Sequence, residues 1–225
     1  EIKEEKIILE ALDVGIKEEF TLDQFLNANS TLPLHHAVLK RIIVDYNTGI
    51  TFPIKISTYS DVPPGSGLGS SSTIVVSMIE ALKQHLMLPL GEYDIAKLAY
   101  QIEREDCNLI GGKQDQYAAT FGGFNFIEFQ KDNNVIVNPL RIRRYIQNEL
   151  ESSLILYFSG ASRDSAKIIK DQMDSILDEK KLNAMHLVKS SALKIKKELF
   201  KGNIDGLASE FKKAWEAKKA TSASI

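Results

Sequence analysis

Ten consecutive residues constrain this chain more than any others: Pro63-Pro64-Gly65-Ser66-Gly67-Leu68-Gly69-Ser70-Ser71-Ser72. Three glycines at alternate positions let the backbone turn tightly and approach a ligand without a β-carbon in the way. Upstream, Ile50, Phe52, Ile54, Ile56 and Thr58 alternate as a strand, with Pro53 pointing to an edge or bulge. Downstream, Val75, Met78, Ile79, Leu82 and Leu86 recur on one face of a helix. The serines therefore stand at a helix start, where unpaired N–H groups and the positive dipole end favour an anion. Hydroxyls there add donors to phosphate oxygens or a ligand to Mg²⁺. No Gly-Lys follows, so the loop is not a Walker A. The glycines are spaced by two throughout, so it is not a Rossmann turn either. A flexible loop ending in a serine N-cap would account for the same residues.

Elsewhere the periodicities are ordinary. Ile8, Glu10, Leu12, Val14 and Ile16 read as one loosely alternating strand. Pro33 opens a helix with Val38, Leu39, Ile42, Ile43 and Tyr46 at three- and four-residue steps, stopped by Asn47-Thr48-Gly49. A helix from about Asp94 buries Ile95, Leu98, Ala99 and Ile102 and breaks near Gly111-Gly112. A short helical turn carries Asp115 to Ala119. Phe124 to Phe129 and Val135 to Val137 read as strands joined by the turn Lys131-Asp132-Asn133-Asn134. Leu154 to Phe158 reads as a short buried strand. Helices are expected at Ser165–Leu177, Lys181–Phe200 and Asp205–Ala220, with Trp215 in the core beside Phe211. A mixed first part and a helix-rich second part give an α+β class, with two subdomains meeting near Glu149.

Two carboxylates stand out. Glu103 borders the apolar face of its helix beside Ala99 and Ile102, and Asp115 opens a new turn after Gly111-Gly112-Lys113-Gln114. One such group can accept a proton from a substrate hydroxyl while a second holds a metal ion. A solvated helix residue and a helix cap would explain the same two residues. Arg163, in Ser159-Gly160-Ala161-Ser162-Arg163-Asp164-Ser165, could clamp a phosphate oxygen or simply pair with Asp164. Arg141, Arg143 and Arg144 read as a solvated face, and the four histidines show no metal spacing.

Composition excludes several classes. A net charge of −2 disfavours non-specific nucleic-acid binding. One cysteine, Cys107, rules out an internal disulfide framework and a cysteine-based zinc site. No apolar run reaches the roughly 18 residues of a membrane span. The acidic amino end lacks the layout of a signal peptide, so the expected location is cytoplasmic.

The segment from Pro63 to Ser72 resembles the second motif of the GHMP kinases. Tyr100 to Asp106, Gly111-Gly112-Lys113-Gln114-Asp115-Gln116-Tyr117-Ala118-Ala119, Gly122-Gly123-Phe124-Asn125 and Val137 to Ile142 make the resemblance closer to the D-glycero-D-manno-heptose 7-phosphate kinase branch. The resemblance implies an N-terminal ribosomal-S5-domain-2-like α+β domain over 1–149 and the start of a helix-rich C-terminal α+β domain over 150–225. It implies ATP-dependent phosphorylation of the C1 hydroxyl of a heptose 7-phosphate, feeding bacterial surface glycans. Pro64, Gly65, Ser66, Gly67, Leu68, Gly69, Ser70, Ser71 and Ser72 would wrap the ATP phosphates. Ser71 and Glu103 would hold Mg²⁺, and Asp115 would deprotonate the attacking hydroxyl. Gly112, Gln114, Asp115 and Arg163 would meet the sugar phosphate, with neither nucleic acid nor membrane as a partner. A fucose- or galactose-type sugar kinase and a non-catalytic nucleotide-binding scaffold are the alternatives. The family's first and third motifs are not in this chain, so its fold is expected to be incomplete at both ends and its activity weak.

Overall fold

The computed structural model describes residues 5–63, 65–157, 168–169 and 178–222. Contacts divide the chain into two compact units, Glu1–Gly122 and Gly123–Ile225. The division falls at a pair of glycines with φ of +58° and +65°, ahead of the boundary expected near Glu149. The reason is the hairpin that follows, whose two strands pair with each other in a sheet of their own.

In the first unit, β1 (Lys6–Ala11), β2 (Ile16–Thr21) and β3 (Ile54–Thr58) form a sheet in the order β2-β1-β3. Strand β1 runs antiparallel to β2, with Lys6 opposite Thr21 and Ala11 opposite Ile16. It runs parallel to β3, with Ile7 opposite Ile54 and Ala11 opposite Thr58. The single strand expected through Ile16 is thus a hairpin. Alternation persists on both sides of the turn, so periodicity hides the reversal, and Gly15 at φ +68° makes it. Strand β3 begins only after Pro53, which has no N–H to give a ladder.

The sheet is two-faced. Ile7, Leu9 and Ala11 are buried on one side of β1, while on the other Glu10 accepts from Ser57 and pairs with Lys55, both at 2.8 Å. Against the apolar side lie α1 (Pro33–Tyr46), α2 (Ser70–Leu86) and α3 (Glu92–Gln101). Their stripes Val38-Leu39-Ile42-Ile43, Val75-Met78-Ile79-Leu82 and Ile95-Leu98-Ala99-Ile102 are buried as the spacing requires. Each fully buried Leu or Ile contributes about 1.5–3 kcal/mol at most. The expected break of α3 at Gly111 comes earlier. A π-helical turn, Ile102–Asp106, widens the helix, and Cys107 N–H donates to Ile102 O at 3.0 Å. Helix α4 (Gln114–Phe121) closes the unit.

His35 is buried on α1, with Nε2 2.7 Å from Thr58 Oγ1. Burial pushes its imidazole below the usual range, and the Asp13 and Glu18 carboxylates do not overcome this. Below about pH 6.5 the unfolded chain takes up this proton before the folded one does, so stability falls with acidification. The urea midpoint is expected to drop between pH 7.5 and pH 6, and to drop less in His35→Gln. An equal drop in both proteins would refute the assignment.

In the second unit, β4 (Asn125–Phe129) and β5 (Val135–Pro139) pair antiparallel, with Asn125 opposite Pro139. Helices α5 (Arg144–Ser153), α6 (Glu179–Lys201) and α7 (Ile204–Lys219) follow. Asp178 caps α6, accepting from Lys180 N–H at 2.9 Å. Ile142, Ile146, Leu150, Leu199 and Leu207 form the core. Arg141, Arg143 and Arg144 are exposed, as expected of a solvated face, and Arg144 opens a helix that buries Ile146 and Leu150. Two expectations are corrected here. Residues Leu154 to Tyr157 form no strand and are exposed, Ile155 at 91%: an apolar run lacking a partner strand stays out of a sheet. Trp215 is 47% exposed because α7 buries a stripe offset from it, through Leu207 and Ala217. Phe158 and most of the helix expected at Ser165–Leu177 lie outside the described residues.

Candidate active site

The glycine–serine segment joins β3 to α2. Gly65, Gly67 and Gly69 have φ of +73°, +78° and +75°, a left-handed conformation that costs other residues about 1–2 kcal/mol each. A β-carbon built on Gly67 would meet nothing within 4 Å, so the loop's flank is open. Helix α2 begins directly at Gly69 with no side-chain cap and no acidic residue in its first turn. The first turn of this 17-residue helix thus carries no carboxylate of its own at its positive end. Ser70 is half-buried, Ser71 exposed and Ser72 buried.

Asp115 stands in the first turn of α4 and is exposed. A β-carbon on Gly69 would lie 3.5 Å from Asp115 Cγ and 3.8 Å from Oδ1. The carboxylate therefore sits against the last glycine of the loop, where α2 starts. Two sequence elements separated by some forty positions meet at the same spot.

Glu103 is fully buried. Its position follows from periodicity, because it continues the apolar stripe Ile95-Ala99 by one more helical step. Ser72 Oγ donates to both carboxylate oxygens at 2.9 Å, and Gln116 Nε2 donates to Oε2. Arg104 Nη2 pairs with Oε2 at 3.2 Å. A charge this deep is tolerated only when paired and hydrogen-bonded. Arg104 also donates to Gly112 O through Nε (3.3 Å) and Nη2 (3.2 Å) and to Leu109 O through Nη1 (3.3 Å). A β-carbon on Gly111 would fall 2.5 Å from the guanidinium, so any larger residue there would require Arg104 to shift.

Ser71 and Glu103 were expected to share Mg²⁺; the hydroxyl hydrogen-bonded to the Glu103 carboxylate is that of Ser72. On a helix the inward face is the one shared with Val75, Val76 and Ile79, and Ser72 lies on it whereas Ser71 does not. Gln116 was not singled out from sequence either. The signal for both was available: a polar residue on a stripe that buries everything else. Gly112 and Gln114 are exposed beside Asp115. Pro64 and Arg163 lie outside the described residues. A cleft of about 680 Å³ lined by His36, Lys40, Arg41 and Cys107 contains none of these side chains. The site is defined by the loop and two helix starts rather than by that cavity.

The donor set suits a polyphosphate with a hard cation: backbone N–H groups and hydroxyls at an uncapped helix start, and oxygen-only ligands. Glu103 Oε1 carries only the shared Ser72 hydroxyl, which leaves it lone-pair capacity. Among the described residues no cluster of three or more His, Cys, Asp or Glu could bind a metal alone, so the phosphates would have to complete the coordination shell.

The first unit is thus an α+β arrangement in which a glycine loop feeds a helix start with a carboxylate at its mouth. Residues 34–123 match the GHMP kinases N terminal domain. It is 47% identical over 217 residues to the D-glycero-alpha-D-manno-heptose 7-phosphate kinase of Campylobacter jejuni, a match spanning 96% of this chain and 64% of that protein. A D-glycero-D-manno-heptose 1-phosphate kinase from Bacteriodes thetaiotaomicron superposes with a TM-score of 0.82 at 42% identity, over 97% of this chain and 65% of that one. A putative sugar kinase from Campylobacter jejuni gives 0.76 at 44% identity, over 95% and 62%. The chain thus spans less than two thirds of these relatives' own length. No helix among the described residues is long and apolar enough to cross a membrane.

Proposed function

We propose that this protein belongs to an ATP-dependent sugar kinase that phosphorylates the C1 hydroxyl of D-glycero-D-manno-heptose 7-phosphate, giving the 1,7-bisphosphate. The observation that carries this reading is the seating of Asp115 against Gly69, at the mouth of the phosphate cradle. Phosphoryl transfer asks a protein chiefly for positioning and charge neutralisation. Backbone N–H groups from Gly65 to Ser72 and the Ser70 and Ser71 hydroxyls would grip the triphosphate. Ser71 and Glu103 would hold Mg²⁺, which when bound neutralises charge on the phosphate oxygens. Asp115 would accept the hydroxyl proton and aim the oxygen at the terminal phosphorus. An anomeric hydroxyl is more acidic than an ordinary alcohol, so a carboxylate is base enough. Gly112, Gln114 and Arg163 would contact the sugar phosphate.

The names of the two heptose kinase relatives differ in the phosphate their substrate already carries, at C7 or at C1. An acceptor screen with Mg·ATP, with product position read by phosphorus NMR, decides for this protein. A new anomeric phosphate on heptose 7-phosphate supports the proposal. Phosphorylation of heptose 1-phosphate, or preference for free fucose or galactose, would replace the acceptor. ATP binding without turnover on any sugar would leave a nucleotide-binding scaffold.

A further inference from the structure

The deepest polar group in the first unit is the Glu103 carboxylate, and its partners come from places that matter. Ser72 closes the glycine–serine loop at the start of α2. Gln116 is the residue after Asp115 at the start of α4. Both side chains are almost or fully buried, at 2% and 0% exposure, and both donate to the same carboxylate. Gln116 Nε2 also reaches Ser72 Oγ at 3.2 Å, so the two helix starts are joined directly as well.

Building on the kinase reading above, we propose that Gln116 and Ser72 are positioning residues. Their hydrogen bonds fix the Glu103 carboxylate, and through it the register between the phosphate cradle and Asp115. The geometry leaves little alternative for α4. A rotation that moved Asp115 away from Gly69 would also withdraw the Gln116 amide from Glu103, because adjacent residues on a helix turn together. Arg104 secures the other side by holding Leu109 O and Gly112 O, which precede α4. A glutamate side chain has three rotatable bonds and does not select one orientation unaided. Carboxylates that serve metal ions are themselves hydrogen-bonded for this reason, and loss of such a partner lowers metal affinity or activity about 10–100-fold.

A second observation separates positioning from simple packing. Gln116 Oε1 is buried with no hydrogen-bond partner among the described residues. An unpaired buried acceptor is destabilising, whereas an apolar side chain of similar shape would avoid the penalty. The amide is thus accounted for by its two donated bonds, which an apolar side chain of the same shape could not make.

The test uses Gln116→Leu, Ser72→Ala and Ser72→Thr, with Glu103→Gln as reference. Affinity for Mn²⁺·ATP and for ATP in chelator is measured by calorimetry, kcat and KM by ADP release, and folding by thermal unfolding. In Gln116→Leu and Ser72→Ala, Mn²⁺·ATP affinity should fall about 10–100-fold with metal-free ATP affinity within about twofold. The sugar KM should hold while kcat falls, and Ser72→Thr, which keeps the hydroxyl, should recover most of the loss. Should Gln116→Leu fail to fold, the Ser72 pair decides alone. Folded Leu and Ala variants that bind Mn²⁺·ATP like the parent, while Glu103→Gln does not, would overturn the inference and leave the kinase reading standing. So would a Thr variant as impaired as Ala. Normal metal-nucleotide affinity in Glu103→Gln would instead remove Glu103 from the metal site, and this inference with it.

Discussion

Replacing Asp115 by Asn is expected to lower turnover of heptose 7-phosphate by about 10²–10⁴-fold, the range for loss of a positioned general base. Asn has nearly the same shape, so its contact with Gly69 survives and α2 still starts where it does. What disappears is the ability to take a proton from the sugar hydroxyl. The nucleotide should not notice, because its grip comes from the loop and the start of α2. Calorimetry should give an ATP affinity within about twofold of the parent. The measurement that decides is steady-state ADP release at saturating sugar and Mg·ATP. Turnover within tenfold of the parent would mean that Asp115 neither orients nor deprotonates the acceptor.

The second large effect is on stability. Glu103→Ala removes the common partner of Ser72, Gln116 and Arg104 from the interior of the first unit. Breaking a buried pair leaves the remaining charge and donors uncompensated, which costs about 3–5 kcal/mol. With a urea dependence of roughly 1–3 kcal/mol per molar, the midpoint should fall by about 1–5 M. Glu103→Gln should lose distinctly less, since its amide oxygen still accepts from Ser72 and the volume is retained. Arg104 is 16% exposed and can recover some hydration in either variant. Equal stability of the Ala and Gln variants would show that the network contributes little to the fold.

The two expectations concern neighbouring residues but different physics. Asp115 is exposed, attached to a helix start, and held near the cradle by what surrounds it. Glu103 is buried and does the holding. An exposed carboxylate is free to exchange protons with a substrate. A buried one hydrogen-bonded on both oxygens is suited to fixing geometry.

Much of this arrangement was legible in the chain itself. Alternation located β3, three- and four-residue steps located α1, α2 and the two late helices α6 and α7, and the glycine triplet marked the cradle. Those features are local: they depend on which side chains a helix or strand brings to one face, and on which residues tolerate positive φ. Where local information was ambiguous, the reading went astray. The β1–β2 hairpin kept its alternation through the turn and looked like one strand. Leu154 to Tyr157 had the composition of a buried strand but pair with no strand among the described residues, and Trp215 had core spacing on the wrong side of α7.

What the tertiary structure alone decided is which polar groups meet. Serines 70 to 72 are equivalent as letters, but their 100° steps around α2 turn only Ser72 inward, toward Val75 and Ile79. Gln116 was one polar residue among several until α4 packed beside α2 and carried its amide to Glu103. Sequence by itself marked a glycine–serine loop before a helix and two carboxylates, Glu103 and Asp115, without saying which was buried. Packing of three helices against one sheet determined their distances, because a hydrogen bond between residues forty positions apart is specified by the core that holds both and by nothing in either local pattern.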